Sequence, residues 1–229
     1  AVLLNSVTLH ETMTNIGDNA FNACEKLTSI SLPASLTTIG TNAFTKVSIS
    51  DLIIYDKVGT IGKDAFSTNT KLTTVEYQGT SDPCKDGNAF EGDTGITNNI
   101  ATVPIGYKDK LFCGLTPMTK GECGTGCTWT FNHNNKDLTI TGTGSVSMED
   151  VSTGEAPWYA KATEIDLISI SGIKRIGNYA FEGCDKFTTI DFKSTVTSVG
   201  DHAFEGCTNL NQITNWGTKP QIGEQAFKS

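Results

Sequence analysis

The sequence predicts a repeat solenoid of the α/β class, in which short coils of similar sequence stack on one another. The hexapeptide I-G-x-x-A-F recurs every 22 or 23 residues within two stretches of the chain. A ladder of apolar residues repeats between the hexapeptides with the same period. A period of about 23 residues with such a ladder is typical of leucine-rich repeats.

The hexapeptide runs from Ile16 to Phe21 in its first copy. We expect its glycine to relieve the backbone where the chain bends, and Ala-Phe to open a helical or 3₁₀ turn. The small alanine lets neighbouring coils approach, and the phenylalanine fills the space between them. Further copies begin at Ile39, Ile61, Ile176, Val199 and Ile222, and a partial copy ends at Ala89-Phe90.

The apolar ladder between the hexapeptides predicts one short strand in each coil. Leu27, Ile30 and Leu32 form the L-x-x-L-x-L core of one coil, and Phe187, Ile190 and Phe192 form that of another. Inward side chains alternate with exposed ones along such a strand. No coil buries its apolar face alone, so the array depends on stacking, with about 1.5–3 kcal/mol from each buried large side chain.

Several units closely resemble a known family. Ala180-Phe181-Glu182-Gly183-Cys184 and Ala203-Phe204-Glu205-Gly206-Cys207, with Thr-rich strands between them, resemble BspA-like leucine-rich-repeat surface proteins. The resemblance covers roughly two thirds of the chain. Such proteins occur on host-associated bacteria and protozoan parasites, which implies a cell-surface or extracellular protein that binds host extracellular matrix or cell-surface proteins.

Residues 91–164 interrupt the repeat and predict capping structures. The segment from Val103 to Cys113 resembles the closing segment of arrays in this family, where an extended piece and a short helix cover the last coil. Two alternating runs around an Asn-rich turn at 132–137 predict a β-hairpin. We expect Trp158 and Tyr159 to cover the open end of the second core. Together with these two residues, the hairpin resembles the opening cap that precedes an array in this family.

These features divide the chain into three parts. The first part, 1–113, is a repeat segment with its closing cap. The second part, 114–164, contains a linker near 114–122 and the hairpin opening cap. The third part, 165–229, is a second repeat segment. The chain ends just after a hexapeptide and lacks an initiator Met, so we expect a truncated second array and a piece of a longer protein. Whether the two segments form one arc or hinge at the linker stays open.

The seven cysteines fall into two groups. Cys24, Cys184 and Cys207 each follow a hexapeptide phenylalanine by three residues, where we expect small buried side chains, and Asn69 occupies the equivalent position. The other four lie in the irregular regions, and for them we favour the disulfides Cys84–Cys113 and Cys123–Cys127. The alternative is a zinc site in which His133 or Cys113 joins Cys123 and Cys127.

Charge and residue patterns argue against several functions. A net charge of −8 without a basic run argues against nucleic-acid binding, and no apolar run is long enough to insert into a membrane. His10, His133 and His202 lie in unspecialised segments, so we predict no catalytic residues, no cofactor and no enzyme activity. The acidic residues Glu149, Asp150, Glu155 and Glu164 predict a solvated surface, with a Ca²⁺ site as the alternative.

The exposed strand positions are the predicted binding surface, a ladder across a concave face. Most of them carry short polar side chains, and Ile53 and Leu167 are the apolar exceptions. Two hypotheses follow: an adhesin-like module that binds matrix proteins, or a structural spacer that self-associates without a specific ligand. The oligomeric state stays open. The candidate residues are Thr8, Ser31, Asp51, Ile53, Glu76, Ser169, Asp191 and Thr214.

Overall fold

The computed structural model describes residues 4–193, 195–216 and 220–229, which fold almost entirely as short strands joined by turns. They belong to two compact units, Ala1–Met118 (unit 1) and Thr119–Ser229 (unit 2). The described residues contain two 3₁₀ helices, Thr97–Asn99 and Tyr159–Glu164, and no α-helix. The α/β class is therefore not confirmed, and the chain is a β-solenoid.

Left-handed backbone conformations explain why the hexapeptides make turns rather than helices. In the first copy, Asn19 has a φ of 57° and Ala23 a φ of 58°. A right-handed helix of L-residues does not continue through a residue with positive φ. The equivalent positions in later copies also have positive φ: Asn42, Lys46, Asp64, Thr68, Tyr179, Gly183, His202, Gly206 and Gln225.

In unit 1, the coils contribute parallel strands to two sides of the solenoid. One side contains β1 (Ser6–Thr8), β3 (Ser29–Ser31), β5 (Asp51–Ile54), β7 (Thr74–Tyr77), β8 (Ile100–Thr102) and the first residues of β9 (Thr116–Gly124). The other contains β2 (Asn15–Ile16), β4 (Thr38–Ile39) and β6 (Thr60–Ile61). The register aligns equivalent residues of neighbouring coils, as in the pairs Val7–Ile30 and Leu52–Val75.

The hexapeptide phenylalanines form a stacked column through the core of unit 1. The ring centroids of Phe21 and Phe44 are 5.1 Å apart, and those of Phe44 and Phe66 are 5.3 Å apart. Phe66 and Phe90 continue the column at 5.3 Å. Phe44 and Phe66 are fully buried, so these rings fill the space between coils as predicted.

Close packing between coils, rather than a bend, requires the hexapeptide glycine. A Cβ on Gly40 would lie 2.5 Å from the backbone nitrogen of Asp18 in the preceding coil, and one on Gly62 would lie 2.5 Å from that of Thr41. A Cβ on Gly17, in the first hexapeptide, would meet nothing within 4 Å. None of the three has a positive φ. The predicted role of this glycine was therefore wrong.

Polar side chains three residues after the hexapeptide phenylalanine form hydrogen bonds between neighbouring coils. Asn69 Oδ1 accepts a hydrogen bond from the backbone N–H of Val47 at 2.7 Å, and its Nδ2 donates to the carbonyls of Phe44 and Phe66. Asp93 Oδ1 in turn accepts the N–H of Asn69 at 2.5 Å. The equivalent residues Cys24, Cys184 and Cys207 are free thiols buried in the core, as expected.

Unit 2 contains the predicted hairpin and a second set of coils. β10 (Cys127–Asn132) pairs antiparallel with β11 (Asp137–Ser147), and β11 pairs in parallel with β12 (Leu167–Ile176). The next coils add β13 (Thr189–Asp191) and β15 (Gln212–Thr214) on one side, and β14 (Ser198–Val199) and β16 (Gln221–Ile222) on the other.

The two aromatic residues before the second repeat segment, Trp158 and Tyr159, differ in burial. Trp158 is buried, with its ring 5.6 Å from that of Phe181 and 5.8 Å from that of Trp129. Its indole N–H donates to the carbonyl of Ala180 at 2.8 Å. Tyr159 is 41% exposed, so its expected place over the core was wrong. A capping role for the hairpin stays a prediction.

Two other expectations about the interruption differ from the structure. The linker expected near 114–122 is largely strand β9. Pro117, Thr119 and Cys123 are buried while their neighbours are exposed or half-buried, which is the alternation of a strand with one face inward. The closing segment directly follows β8 and continues in turns, without the short helix. The three-part domain division itself stays a prediction.

Candidate functional site

In each unit, the outward side chains of the long strand ladder form a surface that we call the ladder face of that unit. In unit 1 it consists of Ser6, Thr8, Ser29, Ser31, Asp51, Ile53, Thr74 and Glu76, and in unit 2 of Leu167, Ser169, Thr189, Asp191, Gln212 and Thr214. All eight sequence-predicted candidates belong to it. Strand alternation puts them outward while Leu52, Val75, Ile168 and Ile190 point into the core.

Register brings the unit 1 candidates together in rows. Thr8 pairs with Ser31 across β1 and β3, and Ile53 pairs with Glu76 across β5 and β7. Thr102 on β8 pairs with Glu76 and extends this row. Sequence reasoning missed Thr102 because β8 lies in the interruption, where no hexapeptide marks the period. Asp51 lies in the adjacent row, opposite Thr74.

Asp51 is a fixed negative charge on the unit 1 ladder face. Hydrogen bonds from the Ser50 and Thr74 hydroxyls hold the pKa of its carboxyl below the usual range. Glu76 is half-buried, and one of its carboxylate oxygens accepts a hydrogen bond from Gln78 Nε2 at 3.1 Å. Acidic side chains on this face favour cationic partner groups.

An apolar depression lies beside Asp51. Ile30, Ser31, Leu32, Asp51, Ile53 and Tyr55 line it. Ile53 is 47% exposed. Tyr55 follows β5 directly, and sequence reasoning missed it because it lies one residue beyond the strand. The depression offers an apolar contact next to a carboxylate.

The unit 2 ladder face repeats this combination. Ser169, Asp191 and Thr214 lie in one row, and Leu167 in the adjacent row is 47% exposed. Hydrogen bonds from Lys193 and Asn215 lower the pKa of Asp191 to about 2. Lys193 Nζ also forms an ion pair with Asp191 Oδ2 at 2.8 Å, which partly neutralises the carboxylate.

The four irregular-region cysteines form two disulfides in the structure, Cys84–Cys113 and Cys123–Cys127. The sulfurs of Cys123 and Cys127 are thus bonded to each other rather than arranged for zinc. His133 is buried, and its Nε2 lies 2.7 Å from the Thr119 hydroxyl. The zinc site considered for Cys123, Cys127 and His133 therefore does not match the structure.

The acidic residues before the second repeat segment have separate partners. Asp150 forms an ion pair with Arg175 at 2.6 Å, and Glu164 pairs with Lys136 and Lys161 at 2.9 and 3.0 Å. Glu155 accepts a hydrogen bond from the backbone N–H of Ser152. Carboxylates that are already paired with cations are poor calcium ligands, so these contacts favour the solvated acidic surface.

The geometry defines a class of protein: a β-solenoid of leucine-rich repeats with a polar ladder face. The sequence model described as "BspA type Leucine rich repeat region" matches in six copies over residues 2–105 and 158–229. The chain therefore belongs to the BspA-type leucine-rich-repeat family.

Two crystal structures also show similarity to this chain. A leucine-rich repeat protein from Bacteroides ovatus is 22% identical, with 96% of this chain and 69% of that chain covered and a TM-score of 0.39. A leucine rich cell surface protein from Faecalibacterium prausnitzii is 19% identical, with 91% and 59% covered and a TM-score of 0.32. This chain thus spans about three fifths of the latter protein. A search of curated proteins found no match. No helix in the described ranges is long and apolar enough to cross a membrane.

Proposed function

We propose that this chain is a non-enzymatic, cell-surface or secreted binding module whose ladder face attaches to host extracellular matrix proteins. The observation that carries the proposal is the composition of that face. Exposed Ile53 lies beside the carboxylate of Asp51, exposed Leu167 lies in the row next to that of Asp191, and short polar side chains surround both. Apolar anchors with a polar surround are the usual composition of a protein-binding surface.

Two histidine–hydroxyl contacts occur among the described residues, and their settings support the non-enzymatic part of the proposal: Thr119–His133 is buried, and His10–Thr12 joins exposed residues two positions apart. The Thr119 hydroxyl and His133 lie within hydrogen-bonding distance, but both side chains are buried and unreachable for a substrate. His10 bonds to Thr12, and His202 bonds to Glu205. The two disulfides support an extracellular location, because disulfides persist mainly in oxidising compartments.

A binding assay on immobilised fibronectin, fibrinogen, laminin and collagen tests the proposal. The chain should bind at least one of them saturably. Three substitutions, Asp51→Ala, Ile53→Ala and Glu76→Ala, should together weaken binding by at least about tenfold, since central anchors contribute on the order of 2 kcal/mol or more. A control variant with Glu25→Ala and Glu91→Ala removes two exposed carboxylates outside the ladder face and should bind normally.

Each result has a definite meaning. Equal loss of binding in the control variant would indicate a general charge effect. Unchanged binding in the ladder-face variant would move the site elsewhere. Absence of binding to all four proteins would remove matrix attachment as the function of this chain.

A structural spacer that self-associates is the second candidate, because the exposed apolar residues Ile53 and Leu167 would serve a contact between two copies of this chain as well as a contact with a matrix protein. A sedimentation experiment over a range of concentrations distinguishes the two functions. A spacer should form oligomers that Ile53→Asp reduces, whereas the binding module should keep its mass at all concentrations.

A further inference from the structure

A cluster of metal-ligating side chains lies at the disulfide of unit 1. One carboxylate oxygen of Asp82 and the sulfurs of Cys84 and Cys113 all lie within 4.8 Å of one another. Asp82 and Cys84 are partly exposed, while Cys113 is buried. Thiolate and carboxylate groups are established zinc ligands, and partial exposure gives a cation an entry path.

Asp82 holds both cysteines in place independently of the disulfide. Its Oδ1 accepts the backbone N–H of Cys84 at 3.0 Å and that of Cys113 at 3.1 Å. The backbone N–H of Asp82 is held in turn by Asp109 Oδ2 at 2.7 Å. Reduction of the disulfide would therefore free the two sulfurs while these backbone hydrogen bonds keep the cysteines together.

The distances suit a tetrahedral cation. Zinc bonds of about 2.3 Å to sulfur and about 2.1 Å to oxygen, at a tetrahedral angle, separate the two ligand atoms by about 3.6 Å. The Cys113 sulfur lies 3.6 Å from Asp82 Oδ1, which places the carboxylate within ligand range. Because Oδ1 accepts the two backbone N–H groups, the other oxygen of the same carboxylate, Oδ2, is the one left to bind the cation. The Cα atoms of the cysteines are 5.1 Å apart, so rotation of the side chains suffices to separate their sulfurs. In the described residues no lysine or arginine forms an ion pair with Asp82 or Asp109, so a bound cation would meet uncompensated carboxylates.

We propose that Asp82, Cys84 and Cys113 bind Zn²⁺ once their disulfide is reduced, with solvent as the fourth ligand. A reductant with two thiols converts the disulfide to two cysteine thiols and is itself oxidised to a disulfide. Zinc binding then releases two protons as the thiols become thiolates. Residues 82–84 and Cys113 are thus joined by a disulfide under oxidising conditions and by a bound metal ion under reducing conditions. This site is independent of the ladder face.

Cobalt titration of the whole chain tests the proposal, because Co²⁺ occupies zinc sites and absorbs visibly. The protein is reduced with a phosphine, which takes oxygen from water while the two hydrogens go to the sulfurs, and is desalted under argon. Reduced wild type should bind one Co²⁺ with a thiolate charge-transfer band, and Zn²⁺ should displace it. The oxidised protein should show no band.

The chain offers a matched control in its second disulfide. Cys123→Ser with Cys127→Ser should leave cobalt binding unchanged, whereas Cys84→Ser with Cys113→Ser should abolish it. Asp82→Asn keeps the acceptor for both backbone N–H groups and should weaken binding by about tenfold or more. Circular dichroism verifies that each protein is folded, and alkylation of the reduced wild type replaces the double variant if that variant unfolds. A band that is absent from the reduced wild type, or that survives loss of Cys84 and Cys113, overturns the site. Unchanged affinity in Asp82→Asn overturns the role of Asp82.

Discussion

Asp93 provides a sharp test of how the coils of unit 1 are held together. Its Oδ1 accepts the N–H of Asn69 from the preceding coil, while its Oδ2 is buried without a hydrogen-bond partner. Burial raises the pKa of this carboxyl to about 7, although the Asn69 N–H partly opposes the shift. The folded state thus favours protonated Asp93, whereas the unfolded chain ionises near the ordinary value of 3.8.

The direction of the pH effect follows from proton uptake. Between about pH 4 and about pH 7 the folded state binds more protons than the unfolded state, so the free energy of unfolding falls as pH rises. Asp93 contributes its full stabilisation below about pH 4, and the contribution is lost as pH rises through about 7. A difference of about three pH units corresponds to on the order of 2–4 kcal/mol, allowing for the partial exposure of the residue.

Asp93→Asn should remove this dependence. Asparagine keeps the acceptor for Asn69 and carries no charge. The carbonyl of Phe90 accepts the backbone N–H of residue 93 at 3.2 Å and keeps a second lone pair for the asparagine amide. We expect the variant to be more stable than wild type by on the order of 2–4 kcal/mol at about pH 8, and to lose that advantage toward about pH 4.

The assay is urea unfolding at several pH values, followed by circular dichroism and by tryptophan fluorescence. The three tryptophans, Trp129, Trp158 and Trp216, all belong to unit 2, so fluorescence is an internal reference for a change made in unit 1. Subtracting the wild-type stability from that of the variant cancels every other titrating group. A difference that stays constant between about pH 5 and about pH 8 would refute the assignment.

Three further predictions concern the stacking of coils, each measured as the change in free energy of urea unfolding. Phe66→Ala should cost about 3–5 kcal/mol, because the ring is fully buried between two other rings. Phe21→Ala should cost about 1–2 kcal/mol, because Phe21 is the partly buried start of the column. Equal losses of stability would contradict the stacked column. Gly40→Ala should destabilise the fold by about 1–3 kcal/mol, because the added Cβ would clash with the preceding coil. Gly17→Ala should be neutral or slightly stabilising, because an added Cβ there meets no neighbouring atom. A neutral Gly40→Ala variant would disprove the close-packing role. Asn69→Ala should cost about 3 kcal/mol or more, because it removes three buried hydrogen bonds. Asn69→Asp should be no more stable than Asn69→Ala at neutral pH, since aspartate cannot donate to the two carbonyls. Full stability of Asn69→Asp would show that these donated hydrogen bonds do not contribute.

The regular part of this fold could be predicted because one physical rule repeats along it. Strand alternation and a fixed period are enough to place Leu52 and Val75 inside and Asp51 and Glu76 outside. The same reasoning located the hairpin from its alternating runs and Asn-rich turn. Composition misled the prediction at 114–122, where Gly and Thr suggested a linker but residues from 116 onward form a strand.

Contacts between coils could not be predicted from one coil's sequence. The need for Gly40 comes from Asp18, which lies 22 residues earlier, and the first copy of the same glycine has no such neighbour. The positive φ of Ala23 likewise follows from the turn geometry and not from residue preference, since alanine rarely adopts it, whereas the asparagine at position 19 favours this conformation. These features depend on three-dimensional neighbours, and they are what excludes the helix that Ala-Phe suggested.

Separation of core and surface along each strand makes binding and stability separately testable. In a solenoid each coil contacts mainly its neighbours, so an outward residue can change while the inward ladder stays the same. Ile53 satisfies this condition, because it is about half exposed while Leu52 and Ile54 on either side are buried. Asp51 does not, because its carboxylate accepts a hydrogen bond from Thr74 of the next coil. Loss of ligand binding in Ile53→Ala with unchanged unfolding therefore identifies a contact with the partner, whereas Asp51→Ala requires the unfolding measurement before any loss of binding is assigned to the ladder face.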